Sequence, residues 1–314
     1  MAASPSFFPG GLMPEGELHY TSPCTVHRIP QSRGFTMRIH FPRLALVPTD
    51  ALHPHEDHDP SRAEPLARRI REMGVFRDPP IVMPMPFRPG HYMVLDGANR
   101  TFACRLLGLP HILVQIVEAD SPILRLDSWN HVIWEMPSEV FLQRLREALP
   151  WDLTPADPEE AISALQERQA LLVLATPPER YYVVQQVEIQ APLLIEHLRR
   201  VVDVYLNQAA LERTGLYDAH EIAEWFPQWT GLVVFPAFTV QEVFQVVQAG
   251  KLFPTGITRF MVSPRALRLY YPLEELAASR PLEEKNRRLQ AWIQERLRQK
   301  GVRYYGDTTM LFDE

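Results

Sequence analysis

The stretch that decides the fold is His91-Tyr-Met-Val-Leu-Asp-Gly-Ala-Asn-Arg-Thr-Phe-Ala-Cys-Arg-Leu-Leu-Gly108. Its first residues predict a strand that ends at Asp96. The chain turns at Gly97 and continues into a predicted helix over 101–107, which the final glycine closes. A strand that runs straight into a helix presents unpaired backbone N–H groups and the positive end of the helix dipole. This turn is therefore suited to bind phosphate.

Further strand and helix patterns lie around this stretch. Alternating or short apolar runs predict strands, and Leu66 and Ile70, four positions apart, predict one face of a helix that Gly74 ends. The predicted strands are 37–41, 43–47, 81–83 and 111–117, and the predicted helix is 60–73. Strands and helices that alternate in one continuous stretch predict a small α/β domain over residues 37–120.

The remainder, residues 121–314, carries both types of pattern. Amphipathic periods predict helices over 137–148, 158–169, 191–210, 239–250 and 282–300. The predicted strands are 181–189, 231–235, 257–262 and 266–271, with the last two paired around Ser263-Pro264. The predicted fold class is therefore α/β (α+β), with a mixed α/β C-terminal domain. Residues 1–36 are rich in Pro, Gly and Ser and are predicted to form an irregular leader.

Composition and charge exclude several classes of protein. The chain has 314 residues, 46% of them hydrophobic, and its 32 basic and 38 acidic residues give a net charge of −6. An acidic chain lacks the field of a nucleic-acid-binding protein, so we expect no nucleic-acid partner. No run approaches the ~18 apolar residues of a membrane helix, and the N-terminus has no secretory signal. Cys24 and Cys104 form neither a disulfide framework nor a zinc site, so a cytoplasmic location is expected.

Two charged side chains lie at the predicted turn. Arg100 adds a forked guanidinium to the phosphate site. Asp96, at the end of the strand, is suited to hold Mg²⁺ or to accept a substrate proton. From the residues alone an equally good interpretation is that Asp96 only caps the helix and Gly97 only makes the turn.

The segment His53-Pro-His-Glu-Asp-His-Asp59 places three histidines among three acidic residues. Pro54 and Pro60 predict that it is a loop. A metal site is one interpretation, although HExxH-type helical spacing is missing. In a second, the loop presents Glu56 as a general base. In a third, the loop is solvated and Asp59 caps the next helix.

Two later segments carry side chains suited to a ligand pocket. Asp127-Ser-Trp-Asn-His131 combines an aromatic ring with an imidazole on a predicted connecting segment, although Trp129 would serve equally well as core. Pro254-Thr-Gly-Ile-Thr-Arg-Phe260 is a tight turn followed by a hydroxyl and a guanidinium, which suits a carboxylate or a phosphate. A surface arginine beside a turn is the alternative.

The order of these motifs resembles the ParB/sulfiredoxin-like superfamily. Its D/G-G-x-x-R-x-x-A-x-x-x-L-G signature is matched by Asp96–Gly108, inside a similar region that runs from Leu44 to Val117. Sulfiredoxins need a cysteine where this chain has Ala98, so sulfiredoxin activity is excluded. Chromosome-partitioning ParB proteins continue into a helix-turn-helix domain, for which the acidic remainder gives no pattern.

Within the superfamily, the chain resembles the free L-serine kinase branch, which includes the siderophore-linked and archaeal serine kinases. That branch carries His-Glu-x-x-x-Pro-x-Arg, matched by His55–Arg62, and Asp-Gly-x-His-Arg, matched by Asp96–Arg100 except at Asn99. Three more short motifs follow in the same order, at Trp129–His131, Leu149–Trp151 and Pro254–Phe260. The resemblance covers roughly residues 44–310.

This resemblance implies transfer of a phosphoryl group from ATP or ADP, with Mg²⁺, to the hydroxyl of free L-serine, giving O-phospho-L-serine. It implies that Glu56 is the base and that Asp96 assists at the transferred phosphate or its magnesium ion. The implied phosphate-binding residues are Gly97, Ala98, Asn99, Arg100 and Thr101. The implied serine-binding residues are Trp129, His131, Thr258 and Arg259.

Asn99 stands where this branch has histidine, which removes a titratable phosphate contact. The departure leaves open a lower activity, a different phosphate donor or a related acceptor. A second hypothesis is a nucleotide-sensing regulatory protein that keeps the ParB-like pocket without turnover. The sequence does not choose between ATP and ADP, and it leaves the oligomeric state unknown.

Overall fold

The computed structural model describes residues 41–57, 60–185 and 190–304. The strands of these residues are β1 (Arg43–Pro48), β2 (Leu52–Pro54), β3 (Val75–Phe76), β4 (Ile81–Pro84), β5 (Tyr92–Asp96), β6 (His111–Ile116), β7 (Leu124–Ser128), β8 (Asn130–Trp134), β9 (Leu153–Ala156), β10 (Ala170–Thr176), β11 (Arg180–Gln185), β12 (Ala210–Thr214), β13 (Gly231–Val234), β14 (Thr258–Val262) and β15 (Tyr271–Pro272). The helices are α1 (Pro60–Met73), α2 (Ala98–Leu106), α3 (Ser138–Ala148), α4 (Pro158–Gln166), α5 (Ala191–Asp203), α6 (Ala219–Trp225), α7 (Val240–Gln248), α8 (Leu273–Ala277) and α9 (Leu282–Arg298). All of them lie in one of the two compact units of the chain, Pro42–Glu314.

Five strands form the first sheet, in the order β1-β6-β4-β5-β2. β2 runs parallel to β5, with Pro54 opposite Val94, so the carboxyl ends of both strands meet at one edge of the sheet. Glu56 follows Pro54 by two positions, and Asp96 follows Val94 by two positions. Neighbouring strands lie about 4.8 Å apart. The sheet therefore brings these two carboxylates to the same edge.

The second sheet has six antiparallel strands, in the order β12-β8-β13-β10-β11-β9. Its strand β10 is almost entirely apolar and is buried at every position. Two short ladders join distant parts of the chain. In one, β14 pairs with β7 and places Thr258 opposite Ser128. In the other, β15 pairs with β3 and places Tyr271 opposite Phe76.

Apolar side chains form three buried clusters. The cluster between the first sheet and helices α1, α2 and α9 includes Leu46, Ile70, Val94, Ile112 and Leu289. A larger cluster joins the first sheet to the second sheet and helices α3, α5 and α7, and it includes Met83, Met93, Phe141, Leu198 and Phe244. The third packs α4 and α6 against the second sheet and includes Ala161, Val173 and Ile222.

The C-terminal helix α9 returns to the first sheet. The side-chain oxygen of Asn286 accepts the N–H of Leu46 at 2.8 Å, and its side-chain nitrogen donates to the carbonyl of Leu46 at 3.0 Å. Lys285, on the same helix, is fully buried and donates to the carbonyl of Leu276 at 2.8 Å. The domain boundaries at residues 36 and 120 stay predictions.

The predicted α/β class is confirmed, with two corrections to the predicted elements. The helix predicted over 191–210 ends at Asp203, and residue 210 is instead the first residue of β12. The helix cannot continue to residue 210 because Asn207 has a left-handed φ of 62°. The predicted strand over 266–271 is wrong up to residue 270, because Arg268 and Tyr270 have φ values of 55° and 53°, and only Tyr271 belongs to a strand. β14 pairs with β7 instead.

Two further predictions concerned loops. The prolines of the segment 53–59 predict a loop, but residues 53 and 54 belong to strand β2. The segment 127–131 is not a simple connection, because it ends β7 and begins β8. The predicted leader 1–36, the strand 37–41 up to residue 40, and residues 186–189 lie outside the described residues. Among the described residues, none of the helices has the length and apolar character that crossing a membrane requires.

Candidate active site

Glu56 lies just beyond the end of β2, at the sheet edge that it shares with Asp96. Its Oε2 accepts a hydrogen bond from the backbone N–H of Gly256 at 3.1 Å, and its backbone forms an isolated parallel bridge with Phe253. Within the described part of the chain, Oε1 makes no hydrogen bond. One oxygen of the half-buried carboxylate is therefore available to accept a proton from a ligand.

The backbone around Phe253 holds the Glu56 loop on both sides. The N–H of Phe253 donates to the carbonyl of His55 at 2.8 Å, and the N–H of Asp57 donates to the carbonyl of Phe253 at 3.0 Å. The hydroxyl of Thr255 donates to the carbonyl of Asp57 at 2.9 Å. These bonds order the loop before any ligand arrives, which lowers the entropy cost of binding.

His55 connects the first sheet to β14. Its Nδ1 lies 2.6 Å from the carbonyl oxygen of Val94, and its Nε2 lies 2.6 Å from Oγ1 of Thr258. A carbonyl only accepts, so Nδ1 carries the proton, and in the neutral ring Nε2 accepts the hydroxyl proton of Thr258. Both side chains are buried. Thr258, predicted to bind serine, therefore uses its hydroxyl inside the protein and positions the start of β14.

Asp96 is paired with two guanidinium groups. Its Oδ2 accepts from Nη2 of Arg100 at 3.0 Å and also contacts Nη2 of Arg265. Burial raises the pKa of Asp96, but the charges and hydrogen bonds of the two arginines outweigh it and hold the pKa below its ordinary value. The carboxylate is ionised at neutral pH. Because both bonds go to Oδ2, Oδ1 stays available to a ligand or a cation among the contacts of the described residues.

The turn before α2 requires glycine. Gly97 has a left-handed φ of 100°, and a Cβ there would lie 2.9 Å from Nε of Arg100 and 3.0 Å from Cβ of Pro80. Gly97 has no side chain with which to cap the helix that follows. The N–H groups of Ala98, Asn99 and Arg100 are in the first turn, where a helix supplies no carbonyl partner. The predicted phosphate-binding groups are thus at the same sheet edge as the two carboxylates.

Thr101 differs from the other predicted phosphate-binding residues. Its N–H donates to the carbonyl of Gly97 at 2.9 Å, and its side chain is buried. Its hydroxyl has no hydrogen-bond partner among the described residues. Thr101 therefore lies beneath the turn, where a direct phosphate contact would require a change of its side-chain rotamer.

A cavity of about 380 Å³ adjoins Arg100. Apolar side chains of α1 and β3 form part of its wall, and guanidinium groups form another part. The lining residues that characterise it are Ile70, Val75, Phe76, Arg69, Arg77 and Arg100. An apolar wall beside cationic groups suits a ligand with a flat ring and phosphates.

Trp129 and Arg259 form a stacked pair. Cζ of Arg259 lies 4.1 Å from the centroid of the Trp129 ring, and the N–H of Trp129 donates to the carbonyl of Ile257 at 2.8 Å. Both side chains are half-buried. Among the described residues, Arg259 has no acidic partner. A guanidinium held by its face keeps its N–H edges available for an acidic group of a ligand.

His131 is buried, with 1% of its surface exposed, and both ring nitrogens are bonded inside the protein. Nε2 donates its proton to the carbonyl of Gly256 at 2.9 Å. In the neutral ring Nδ1 then has no proton, so it accepts a hydrogen bond from the hydroxyl of Tyr205, 2.8 Å away. Burial lowers the pKa of His131 to about 4. The ring is therefore neutral, and it acts on the site through Gly256, which holds Glu56.

Among the described residues of the segment 53–59, the metal interpretation finds no ligand set. Nε2 of His53 lies 2.9 Å from Nδ1 of His91, and the ring of His55 is occupied as described above. No group of three or more His, Cys, Asp or Glu side chains that could hold a metal is found within residues 41–57, 60–185 and 190–304. His58 and the proposed helix cap Asp59 lie outside the described residues.

Comparisons with known proteins identify one relative over most of the chain and a second over part of it. The ATP-dependent L-serine kinase SbnI of Staphylococcus aureus is 27% identical over 245 residues, which are 77% of this chain and 87% of that protein. The ATP-dependent L-serine kinase of Staphylothermus marinus is 34% identical over 88 residues, 28% of this chain and 34% of that protein. No family model matches the chain. The resemblance inferred from the motifs is confirmed by these relatives.

Solved structures give the same result at the level of the fold. The structure of SbnI from Staphylococcus aureus with a C-terminal truncation covers 81% of this chain and 97% of its own, at 24% identity and a TM-score of 0.64. A free serine kinase in complex with AMP covers 74% of this chain and 93% of its own, at 18% identity and a TM-score of 0.62. This chain has the free serine kinase fold.

Within this free serine kinase fold, two arginines near the predicted residues are not indicated by the sequence. Arg265 contacts Asp96 although 169 positions separate them, and no local motif marks it. Arg213, on β12, packs against Gly256. A glycine can indicate that another side chain approaches the backbone closely, but the sequence does not show which side chain that is.

Proposed function

We propose that this chain is a free L-serine kinase, which transfers the γ-phosphoryl group of ATP to the hydroxyl of L-serine and releases ADP and O-phospho-L-serine. The relative from Staphylococcus aureus, named as an ATP-dependent L-serine kinase, supports this activity over 87% of its own length. The observation that carries the proposal is the placement of Glu56 and Asp96 at one sheet edge, directly beside the start of α2.

In this reaction Glu56 is the general base. Its Oε1 takes the proton of the serine hydroxyl while the hydroxyl oxygen bonds to the γ-phosphorus. The bond from that phosphorus to the β–γ bridging oxygen breaks, and ADP leaves with the electron pair. A positioned base contributes roughly 10²–10⁴-fold in rate. Most of the remaining acceleration in phosphoryl transfer comes from positioning and charge stabilisation.

The nucleotide would bind with its phosphates at the first turn of α2 and its base in the adjoining cavity. Gly97, Ala98 and Asn99 offer backbone contacts to the phosphates, and Arg100 lines the cavity as well. The cavity is lined by three guanidinium groups and one carboxylate, that of Asp78, which pairs with Arg77 at 3.3 Å. This excess of positive charge favours a polyanionic ligand. ATP is the donor that the named relatives support.

Mg²⁺ is part of the proposal as the cofactor that neutralises charge on the phosphates. Proteins commonly hold this ion by one or two carboxylates, with substrate phosphates and waters completing the shell. Asp96 fits that role, because its carboxylate is ionised and its Oδ1 accepts no bond from the described residues.

Free L-serine would lie between Glu56 and the stacked pair Trp129–Arg259. The guanidinium of Arg259 is then available to the substrate carboxylate. Thr258 and His131 support the pocket from below, through His55 and Gly256. A cytoplasmic location, where ATP and free amino acids are supplied, completes the proposal.

A donor-by-acceptor screen tests this function. The purified chain is incubated with ATP or ADP, Mg²⁺, and L-serine, L-threonine or ethanolamine, and products are followed by ³¹P NMR. We expect O-phospho-L-serine from ATP and L-serine, and the ADP arm decides how strictly the donor is selected. Nucleotide binding without any phosphorylated acceptor would instead support the nucleotide-sensing role, which the open oxygen of Glu56 does not favour.

A further inference from the structure

Two arginines and two glycines pack reciprocally between β12 and β14. The guanidinium of Arg213 covers Gly256 so closely that any Cβ at that position would overlap it. The guanidinium of Arg259 covers Gly215 in the same manner, with Nη1 at 2.8 Å from where a Cβ would be. Arg213, on β12, therefore reaches the glycine just before β14, and Arg259, on β14, reaches the glycine just after β12. Because neither glycine has a side chain, there is space for both guanidinium groups.

Neither of these two guanidinium groups forms an ion pair with an acidic side chain of the described residues. Arg213 and Arg259 are half-buried, and neither makes a side-chain hydrogen bond or ion pair with the described residues. The charge of Arg213 acts on its surroundings, because it contributes to the lowered pKa of His131. A half-buried charge without a partner is costly, and an anionic ligand would remove that cost.

The position of Arg213 indicates which anion it meets. Gly256 donates its N–H to Glu56, and Arg213 covers the same residue. The side chains suited to the phosphates of the donor lie elsewhere: Asp96 is at the end of β5, and Arg100 is in the first turn of α2. An acidic group next to Arg213 therefore belongs to the acceptor molecule rather than to the donor.

We infer that Arg213 and Arg259 together bind the α-carboxylate of the acceptor and so restrict the site to free amino acids. This inference rests on the proposed function and adds Arg213 to the acceptor site. Two forked guanidinium groups match the two oxygens of one carboxylate. An acceptor in which the carboxylate is replaced by an amide, or is missing, would leave both guanidinium groups unpaired and would be rejected.

Kinetics with a substrate that lacks the carboxylate charge test this inference. For the Arg213→Met variant we expect KM for L-serine to rise about 10- to 100-fold, as for loss of a charged hydrogen bond, with KM for ATP unchanged. Turnover of L-serinamide, already slow in the wild-type chain, should not fall further. The matched control is Arg43→Met, which removes an exposed arginine that pairs with Glu118 on the surface.

A binding measurement separates the inference from the proposed function. Isothermal titration without nucleotide should show that O-phospho-L-serine binds the wild-type chain and binds Arg213→Met much more weakly, while O-phosphoethanolamine binds both equally. If the chain shows this binding pattern but has no kinase activity, the inference about the carboxylate site holds and the proposed kinase function is excluded. Should Arg213→Met unfold, Arg213→Lys, which keeps the charge but loses the fork, is expected to show a smaller shift in the same direction.

Two outcomes would overturn the inference. One is an Arg213→Met variant whose turnover of L-serinamide falls as far as its turnover of L-serine, since Arg213 would then act on the transferred phosphate. The other is a variant with wild-type KM for L-serine.

Discussion

The backbone N–H of Gly256 donates to the carboxylate of Glu56 at 3.1 Å, although 200 positions separate the two residues. The carbonyl of the same glycine accepts from the buried ring of His131 at 2.9 Å. Gly256 is therefore the link between the proposed base and the second sheet. It fixes one oxygen of the carboxylate and leaves the other for the substrate.

The first prediction concerns this link. Gly256→Ala should lower kcat at least about tenfold, because the new methyl group overlaps Arg213 and shifts the backbone N–H that holds Glu56. The displacement of Arg213 should also raise KM for L-serine. The φ of Gly256 is 81°, so the backbone alone adds a cost of about 1 kcal/mol in stability. Steady-state kinetics and urea denaturation measure the two effects.

Gly250→Ala is the matched control for that variant. Gly250 has a similar φ of 72°, but no atom lies within 4 Å of where its Cβ would be. It should lose a similar stability from the backbone and keep its kcat. Equal losses of kcat in the two variants would show that strain, rather than the contact with Arg213, causes the effect.

The second prediction concerns the turn before α2. Gly97→Ala should weaken nucleotide binding by about tenfold or more, because its Cβ would press on Arg100 and Pro80 at about 3.0 Å. Gly108→Ala, at the other end of the helix, has a φ of 65° and open space, so it should keep wild-type affinity. Titration with a fluorescent ATP analogue compares them. Equal affinity in both variants would remove the turn from the nucleotide site.

The third prediction concerns the charge of Asp96. Asp96→Asn keeps the shape of the side chain but loses its charge, so the Mg²⁺ concentration for half-maximal activity should rise several-fold and kcat should fall. Asp152→Asn, an exposed carboxylate outside this site, is the control. Activity measured against Mg²⁺ concentration gives the result. An unchanged Mg²⁺ requirement together with unchanged kcat would exclude Asp96 from the reaction.

The fourth prediction concerns pH. The pKa of His131 is about 4 in the folded chain, below its ordinary value of 6.5, so between these pH values the unfolded chain binds a proton that the folded chain does not. Stability should fall as the pH falls through this window, by about 3.5 kcal/mol at about 1.4 kcal/mol for each pKa unit. The loss is complete below pH 4 and vanishes above pH 6.5.

Urea denaturation at several pH values tests this contribution. His131→Gln should lower stability at pH 7, since one or both buried hydrogen bonds are lost, and should remove most of the decline toward pH 4. His220→Gln removes an imidazole that is 75% exposed and should leave the decline unchanged. A wild-type decline that persists in His131→Gln would mean that other groups cause it.

Local parts of the fold could be predicted from the sequence, and long-range contacts could not. The turn at Gly97 and the helix over 60–73 follow from short patterns, and the structure has both. The left-handed φ of Arg268 is imposed by the surrounding structure, because arginine has no preference for it. Asparagine does tolerate this conformation, but the helical pattern around Asn207 does not show that the residue adopts it.

The candidate site shows the same division. The family resemblance implies that Glu56 is the base and that Asp96 assists at the phosphate, and the parallel pairing of β2 and β5 explains why both lie at the same sheet edge. The family resemblance implies that His131 and Thr258 bind serine, and in the structure their polar side-chain atoms bond to other protein groups. Arg213 and Arg265 come from distant segments, so only the fold reveals them.

The central claim is that Glu56 accepts the serine proton, and a comparison of Glu56→Gln with the wild-type chain tests it most directly. The glutamine oxygen can still accept the N–H of Gly256, so the fold of the loop should persist while the base is lost. Formation of O-phospho-L-serine from ATP and L-serine, followed in a single turnover, should slow by roughly 10²–10⁴-fold, with unchanged nucleotide affinity. Glu64→Gln, an exposed glutamate on α1, should react at the wild-type rate. A Glu56→Gln variant that forms O-phospho-L-serine at the wild-type rate would contradict the account.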